Sequence, residues 1–221
     1  MTNIVLIGGG GFALEIFDYL QSDIKSGVKD NVRIKGVLDG LGDCELVRET
    51  NIPYLGKIEE YEFGNDERVI ITFGDQLRRR KFYHLLKEKN VNFYTYIHPT
   101  SVVSKRASLA EGVVIPPYCV VNANARIQCN VALNVYCGVG HGAKVGKHSV
   151  FSPYSGINGN CELGEATFLG SRVMLFPNVH IGDYTIIDAG VILRNSVGSR
   201  LIVSQRTEQK EHNNRIIERQ L

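Results

Sequence analysis

The chain has 221 residues, 43% of them hydrophobic and 22% charged, and a formal charge of +2, ordinary values for one large or two small soluble domains. So slight a charge argues against nucleic acid or a membrane surface as a partner, and no stretch reaches the roughly 20 apolar residues of a membrane span. The five cysteines form no CxxC pair and no Cys/His cluster at zinc spacing, and Met1-Thr2-Asn3 before Ile4–Ile7 carries no basic leader. Free thiols in a cytoplasmic setting are therefore expected.

The first part of the chain alternates strand and helix. Asn3 to Gly8 reads as a buried strand, and a glycine run then opens a helix over Phe12 to Gln21. Arg33 to Asp39 and Val69 to Phe73 read as further strands, Arg78 to Glu88 as a basic helix, and Asn92 to Ile97 as a last strand. Crossovers long enough for helices predict a small parallel sheet in an α/β domain spanning residues 1–96.

The second part, residues 97–197, obeys a different period. From Ile97 through Val103, Leu109, Ile115 and onward to Leu193, every sixth residue is apolar without exception. Four residues after each stands a smaller one, as at Ala107, Cys119, Ala125, Cys137, Ala143 and Cys161. Hexads are the signature of a parallel β-helix, three of them closing one triangular coil. The large residue is expected to fill the interior and the small one the tight corner beside it. Glycines after the aliphatic residue, as at Gly140, Gly146 and Gly170, suit a turn. With no inserted loop, residues eighteen apart should lie over one another. Residues 198–221 read as a charged tail.

Of six histidines, His84 and His212 are expected in solvent, and His98 precedes a proline at the junction. His141 stands between Gly140 and Gly142, with Gly159 one coil later and Asn134 seven residues earlier. The glycines leave room for a ligand. Acyl transfer needs a base near neutral pKa and a donor for the developing oxyanion, which His141 and a backbone N–H near Gly159 can supply; otherwise His141 is a surface residue. His148 and His180 do not share a stacking register, so no metal site is expected. The run Gly8-Gly9-Gly10-Gly11-Phe12-Ala13 holds a GxGxxA pattern between strand and helix. Such a loop directs N–H groups at a diphosphate, with Asp39 near a ribose or base. A dinucleotide, a nucleotide sugar or a plain tight turn all fit it.

Taken together, Ile4–Gly11, Val37-Leu38-Asp39, Thr72-Phe73-Gly74-Asp75 with the following arginines, Tyr96-Ile97-His98-Pro99, Leu133-Asn134, Val139-Gly140-His141 and Leu169-Gly170-Ser171 resemble the NeuD/PglD-like sugar acyltransferases. That resemblance implies a small Rossmann-like domain followed by a left-handed parallel β-helix, a homotrimer, acetyl-CoA as donor and no metal. It also implies a nucleotide-linked amino sugar, commonly 4-amino-4,6-dideoxy, as acceptor for surface glycans. By the same match His141 is the general base and Asn134 its neighbour. Gly8, Gly10, Gly11, Phe12 and Asp39 hold the nucleotide, and Gly159, Ser171 and Ala189 line the acetyl-CoA groove. Two departures stand out: Gly142 replaces the carboxylate many members carry after the histidine, and Gly198–Val203 with a charged tail replaces their usual terminal loop, so that Arg200, Arg206 or Lys210 become candidates for coenzyme A phosphates, against a simply solvated tail. O-acetylation of a sialic-acid-type sugar, or a non-catalytic partner of a sugar-biosynthesis enzyme, are the rival readings.

Overall fold

A computed structural model describes residues 1–205; Arg206, Lys210 and His212 lie outside the described residues. The chain opens with β1 (Thr2–Ile7), α1 (Gly11–Lys25), β2 (Val32–Leu38), α2 (Glu45–Glu49), β3 (Tyr54–Gly56), β4 (Glu67–Ile71), α3 (Gln76–Glu88) and β5 (Asn92–Phe93). The five strands form one parallel sheet in the order β3-β2-β1-β4-β5. Its central strand is the unbroken run Ile4–Ile7, fully buried, as a strand covered on both faces must be. α1 buries Ala13, Ile16 and Leu20 at helical spacing. α3 starts where Asp75 accepts a hydrogen bond from the Arg78 N–H at 2.6 Å.

Two differences from the sequence reading lie here. α2 and β3 were not expected, being too short to print a period. The expected strand Asn92–Ile97 is two strands: Asn92–Phe93 pairs with β4, whereas Tyr96–Ile97 pairs with Val114–Ile115 in the coil. The chain leaves one sheet at Tyr94, whose N–H reaches the Val69 carbonyl, and enters the next at Tyr96, bonded to Val113.

From Tyr96 the chain winds as two-residue strands joined by corners. Parallel rungs join residues eighteen apart, Val102 with Val120 and Val120 with Gly138, then Gly156, Met174 and Ile192. The architecture fits a left-handed parallel β-helix. Both slots of each hexad point inward: Ile115, Val121, Leu133, Val139 and Phe151 pack with Val113, Cys119, Ala125, Cys137 and Cys161 in one core.

The corners work differently from expectation. Every sixth residue from Gly112 through Tyr118, Asn124, Asn130, Tyr136, Gly142, His148 and Tyr154 to Gly190 has positive φ, so the left-handed residue is the third after the large aliphatic one. The glycines directly after the aliphatic residue are not in that region. They permit close approach instead: a Cβ on Gly170 would stand 2.6 Å from the Ala189 backbone nitrogen.

The last coil loses two residues. Val197 bridges to Ile181 and Ile202–Val203 pairs with Ile186–Ile187, so Val197 takes a large-residue slot rather than the small one, and the coil continues past it to Val203.

The three outer faces have different fates. Tyr96, Val114, Ala132, Val150 and Phe168 pack under the first part of the chain, in one cluster with Ile16 and Leu20 of α1. Arg126, Lys144, Glu162 and His180 make a second, charged face, laddered by Lys144–Glu162 and Glu162–His180 contacts. The third carries Val102, Val120, Gly138, Gly156, Met174 and Ile192; Val102 is 64% and Ile192 58% exposed.

Candidate functional site

The glycine loop is shaped by its neighbours. Gly8 has φ +101 and lies against the Phe73 ring, where a Cβ would come within 2.7 Å, so only glycine fits. The buried Thr72 hydroxyl donates toward the carbonyls of Ile7 and Gly8, at 2.9 and 2.7 Å. Gly10 caps α1 without any side-chain hydrogen bond, and the first turn holds no acid. The N–H groups of Gly11 and Phe12 thus lack intrahelical partners, the arrangement that binds anions.

Around this loop lies a cleft of about 750 Å³, lined by Gly9, Gly10, Gly11, Phe12 and Asp39, by Cys44, Glu45 and Arg48 beside α2, and by Phe73, Arg78, Lys81 and Phe82 beside α3. Gly8 lies beneath the lining rather than in it. Asp39 is already engaged, accepting from the Gly9 and Leu41 N–H groups at 2.8 Å each; its first role is to hold the loop. The sequence reading missed the α2 and α3 walls. The basic run Arg78–Lys81 was the available signal.

His141 stands at the corner between the apolar and charged faces, exposed. Its ring lies over Gly159, where an added Cβ would be 2.5 Å from both Cε1 and Nε2. Its carbonyl accepts from the Asn160 N–H at 2.9 Å. Among the described residues no carboxylate pairs with the imidazole. Gly142 has φ +67, and a side chain there would run into the Asn160 amide; the missing carboxylate is thus tied to a crowded, left-handed corner.

Asn134 is at the other edge of the apolar face, with its Oδ1 accepting from the Val135 N–H at 2.7 Å. The left-handed corner at Tyr136 and the strand Gly138–Val139 lie between it and His141, a span of at most about 20 Å of chain. Ser171 and Ala189 share the Asn134 corner; the Gly190 N–H donates to the Ser171 carbonyl at 2.8 Å. The expected residues therefore form two groups, His141 with Gly159 at one corner and Asn134 with Ser171 and Ala189 at the other. A single chain does not join them.

Of the other described histidines, His98 and His148 are accounted for by packing. His98 lies by Thr100, with its Nδ1 2.9 Å from the Thr100 hydroxyl, and by the buried Asp23, to which Tyr96 donates at 2.9 Å; burial holds its pKa low. His148 is 1% exposed, 2.9 Å from the Asn130 amide, and burial pulls its pKa down to about 4. His84, in α3, is exposed, its ring 5.5 Å from that of His148. Arg200 lies over the Tyr184 ring at 5.9 Å. Among the described residues no group of three or more His, Cys, Asp or Glu is placed to hold a metal, and no helix is long and apolar enough to cross a membrane.

No family model matches the chain, and no curated protein matches it. Solved structures do. PerB from Caulobacter crescentus, in complex with CoA and GDP-perosamine, is 24% identical with a TM-score of 0.81, the match covering 91% of this chain and 93% of that one. WeeI from Acinetobacter baumannii AYE is 20% identical, TM-score 0.80, covering 93% and 97%. The acetyltransferase domain of PglB from Neisseria gonorrhoeae FA1090, in complex with acetyl coenzyme A, is 18% identical, TM-score 0.77, covering 90% and 95%. At these identities the likeness is one of fold, and it spans both parts of the chain, the α/β sheet and the hexad coil.

Proposed function

We propose that this protein is an acetyl-CoA-dependent N-acetyltransferase acting on a nucleotide-linked amino sugar, of the 4-amino-4,6-dideoxy kind used in surface glycans. The observation that carries the reading is the pairing, in one chain, of an open anion-binding cleft at the start of α1 with an uncommitted imidazole at a corner of the coil. In this reading the N–H groups of Gly10, Gly11 and Phe12 hold the diphosphate, while Gly8 and Asp39 shape the loop. The acceptor's amine attacks the thioester carbonyl, and His141 takes the proton that the nitrogen loses. The carbon–sulfur bond then breaks and coenzyme A leaves as the thiol, with the proton returned to it. The Gly159 N–H, which has no backbone partner among the described residues, stabilises the developing oxyanion.

The two-corner arrangement supports a homotrimer. His141 and Gly159 at one edge of the bare apolar face, and Asn134, Ser171 and Ala189 at the other, make one site only when the edge of one copy meets the opposite edge of the next. That is a heterologous contact, the kind that closes into a ring when the rotation between copies permits it. Coenzyme A then lies between copies. The free thiols and the lack of a membrane-crossing helix among the described residues fit a cytoplasmic enzyme.

Thiol release from acetyl-CoA, measured with UDP-, dTDP-, GDP- and CMP-linked amino sugars, tests this. His141→Ala should lose at least about 10²-fold in kcat with the assembly intact by light scattering. Equal turnover in both proteins removes His141 from the mechanism.

A further inference from the structure

The run Arg78-Arg79-Arg80-Lys81 at the start of α3 divides between two tasks. Arg79 is fully buried with no carboxylate: it donates to the carbonyls of Ile71 and Phe73 and, from the other edge of its guanidinium, to the carbonyl and side-chain oxygen of Asn130 in the coil. Arg80 pairs with Glu165 of the coil at 2.6 Å. These two fasten α3 to the β-helix. Arg78 and Lys81, three apart and so on one helix face, line the cleft instead. Among the described residues neither has a carboxylate partner.

The carboxylates of the same cleft are mostly committed. Asp39 holds the glycine loop, Asp75 caps α3, and Asp43 lies 3.5 Å from Arg48. Only Glu45 is open, its Oε2 3.7 Å from where a Cβ of Gly11 would be. The cleft therefore offers two spare cations on a helix fixed at its back, the free N–H groups of α1, and one spare carboxylate. A ligand with an anionic middle and hydroxyls at one end satisfies all three. The stacked pair Phe73 and Phe82, with ring centroids 5.0 Å apart, supplies an apolar wall beside the cations for a flat base.

We propose that Arg78 and Lys81 form a cationic clamp on the diphosphate of a nucleoside diphosphate, closing against the N–H groups of Gly11 and Phe12 from the opposite wall. This rests on reading the cleft as the nucleotide site, and it assigns the second half of that site to residues outside the glycine loop. Arg79 and Arg80 hold the clamp helix in place without touching the ligand.

Isothermal titration of the full chain with GDP and UDP tests the clamp without needing the acyl donor. Arg78→Gln with Lys81→Gln should weaken nucleoside diphosphate binding by about 10- to 30-fold, the worth of two exposed charge contacts, and flatten its salt dependence. Arg78→Lys with Lys81→Arg should restore binding to within about threefold, because charge rather than shape is used. Coenzyme A binding should be unchanged in both. Wild-type affinity in the double Gln variant, or an unaltered salt slope, overturns the clamp. Failure of the wild type to bind either nucleotide overturns the nucleotide reading and the clamp with it. Loss of nucleotide binding in a protein that never releases thiol from acetyl-CoA leaves the clamp standing and removes the acyl-transfer reading alone.

Discussion

Gly159→Ala separates the position of His141 from its presence. The backbone of Gly159 is not in the left-handed region, so alanine is conformationally acceptable there. The added methyl, however, would stand 2.5 Å from Cε1 and Nε2 of His141. Ordinary carbon contacts lie near 3.5 Å, so the ring must withdraw by about 1 Å. His141 is exposed, and its ring can swing outward without disturbing the core. The stability change should therefore be small, within about 1 kcal/mol, with the lower chain entropy of alanine offsetting part of the contact cost. Catalysis should suffer far more. A displacement of about 1 Å in a reacting group costs on the order of 10²-fold, or about 2.7 kcal/mol in activation free energy. The assay is kcat for thiol release beside calorimetric Tm on the same preparation. A variant with wild-type kcat would refute the reasoning, since it would mean the imidazole does not work from its seat over Gly159.

Two further outcomes are expected. Val120→Glu with Ile192→Glu, both on the bare apolar face, should dissociate the assembly by light scattering and abolish thiol release while leaving the monomer folded; an active, trimeric variant would mean that copies meet through another face. His148 gives a pH dependence. Its folded pKa, about 4, lies below the ordinary value for histidine, so the unfolded chain binds more protons between the two. Stability should be complete above about 6.5 and fall as pH drops toward 4, by on the order of 2 kcal/mol. His148→Asn keeps a residue that tolerates positive φ and should flatten that limb in urea unfolding; an unchanged pH profile would remove His148 as its source.

The hexads were legible because each of their two inward slots admits one kind of residue, large or small, and the coil repeats the demand without interruption as far as Leu193. The left-handed corner position was not, since Tyr118, Asn130, His148, Ala166 and Arg172 all occupy it and share no chemistry. Backbone conformation is imposed there by the coils above and below. Glycine drew attention to the wrong corner residue: Gly140 and Gly170 relieve contact between coils rather than supplying the turn. α2 and β3 were hidden by their shortness, and the loss of two residues after Leu193 was hidden because Val197 suits either slot. In the site, the stacking of Gly159 beneath His141 followed from the period. The distance to Asn134 did not, because the pattern says which residues stack and not how far apart two corners stand.

His141 and His148 show how covering a corner of such a frame changes the histidine in it. Both sit in corners of the same repeat, both are near glycines in sequence, and each lies next to an asparagine one coil away, Asn160 for the first and Asn130 for the second. They differ in what covers the corner. α3 lies across the corner of His148, setting the Tyr83 ring 5.0 Å from its own, and Arg79 donates to the same Asn130 that meets the imidazole. A histidine so enclosed is held neutral and works as a fastening between the two parts of the chain. Among the described residues no element crosses the corner of His141, which borders the apolar face that they leave bare. Attachment of the first part to one face of the prism thus turns one histidine into structure, and it leaves the other exposed at the edge of an uncovered face.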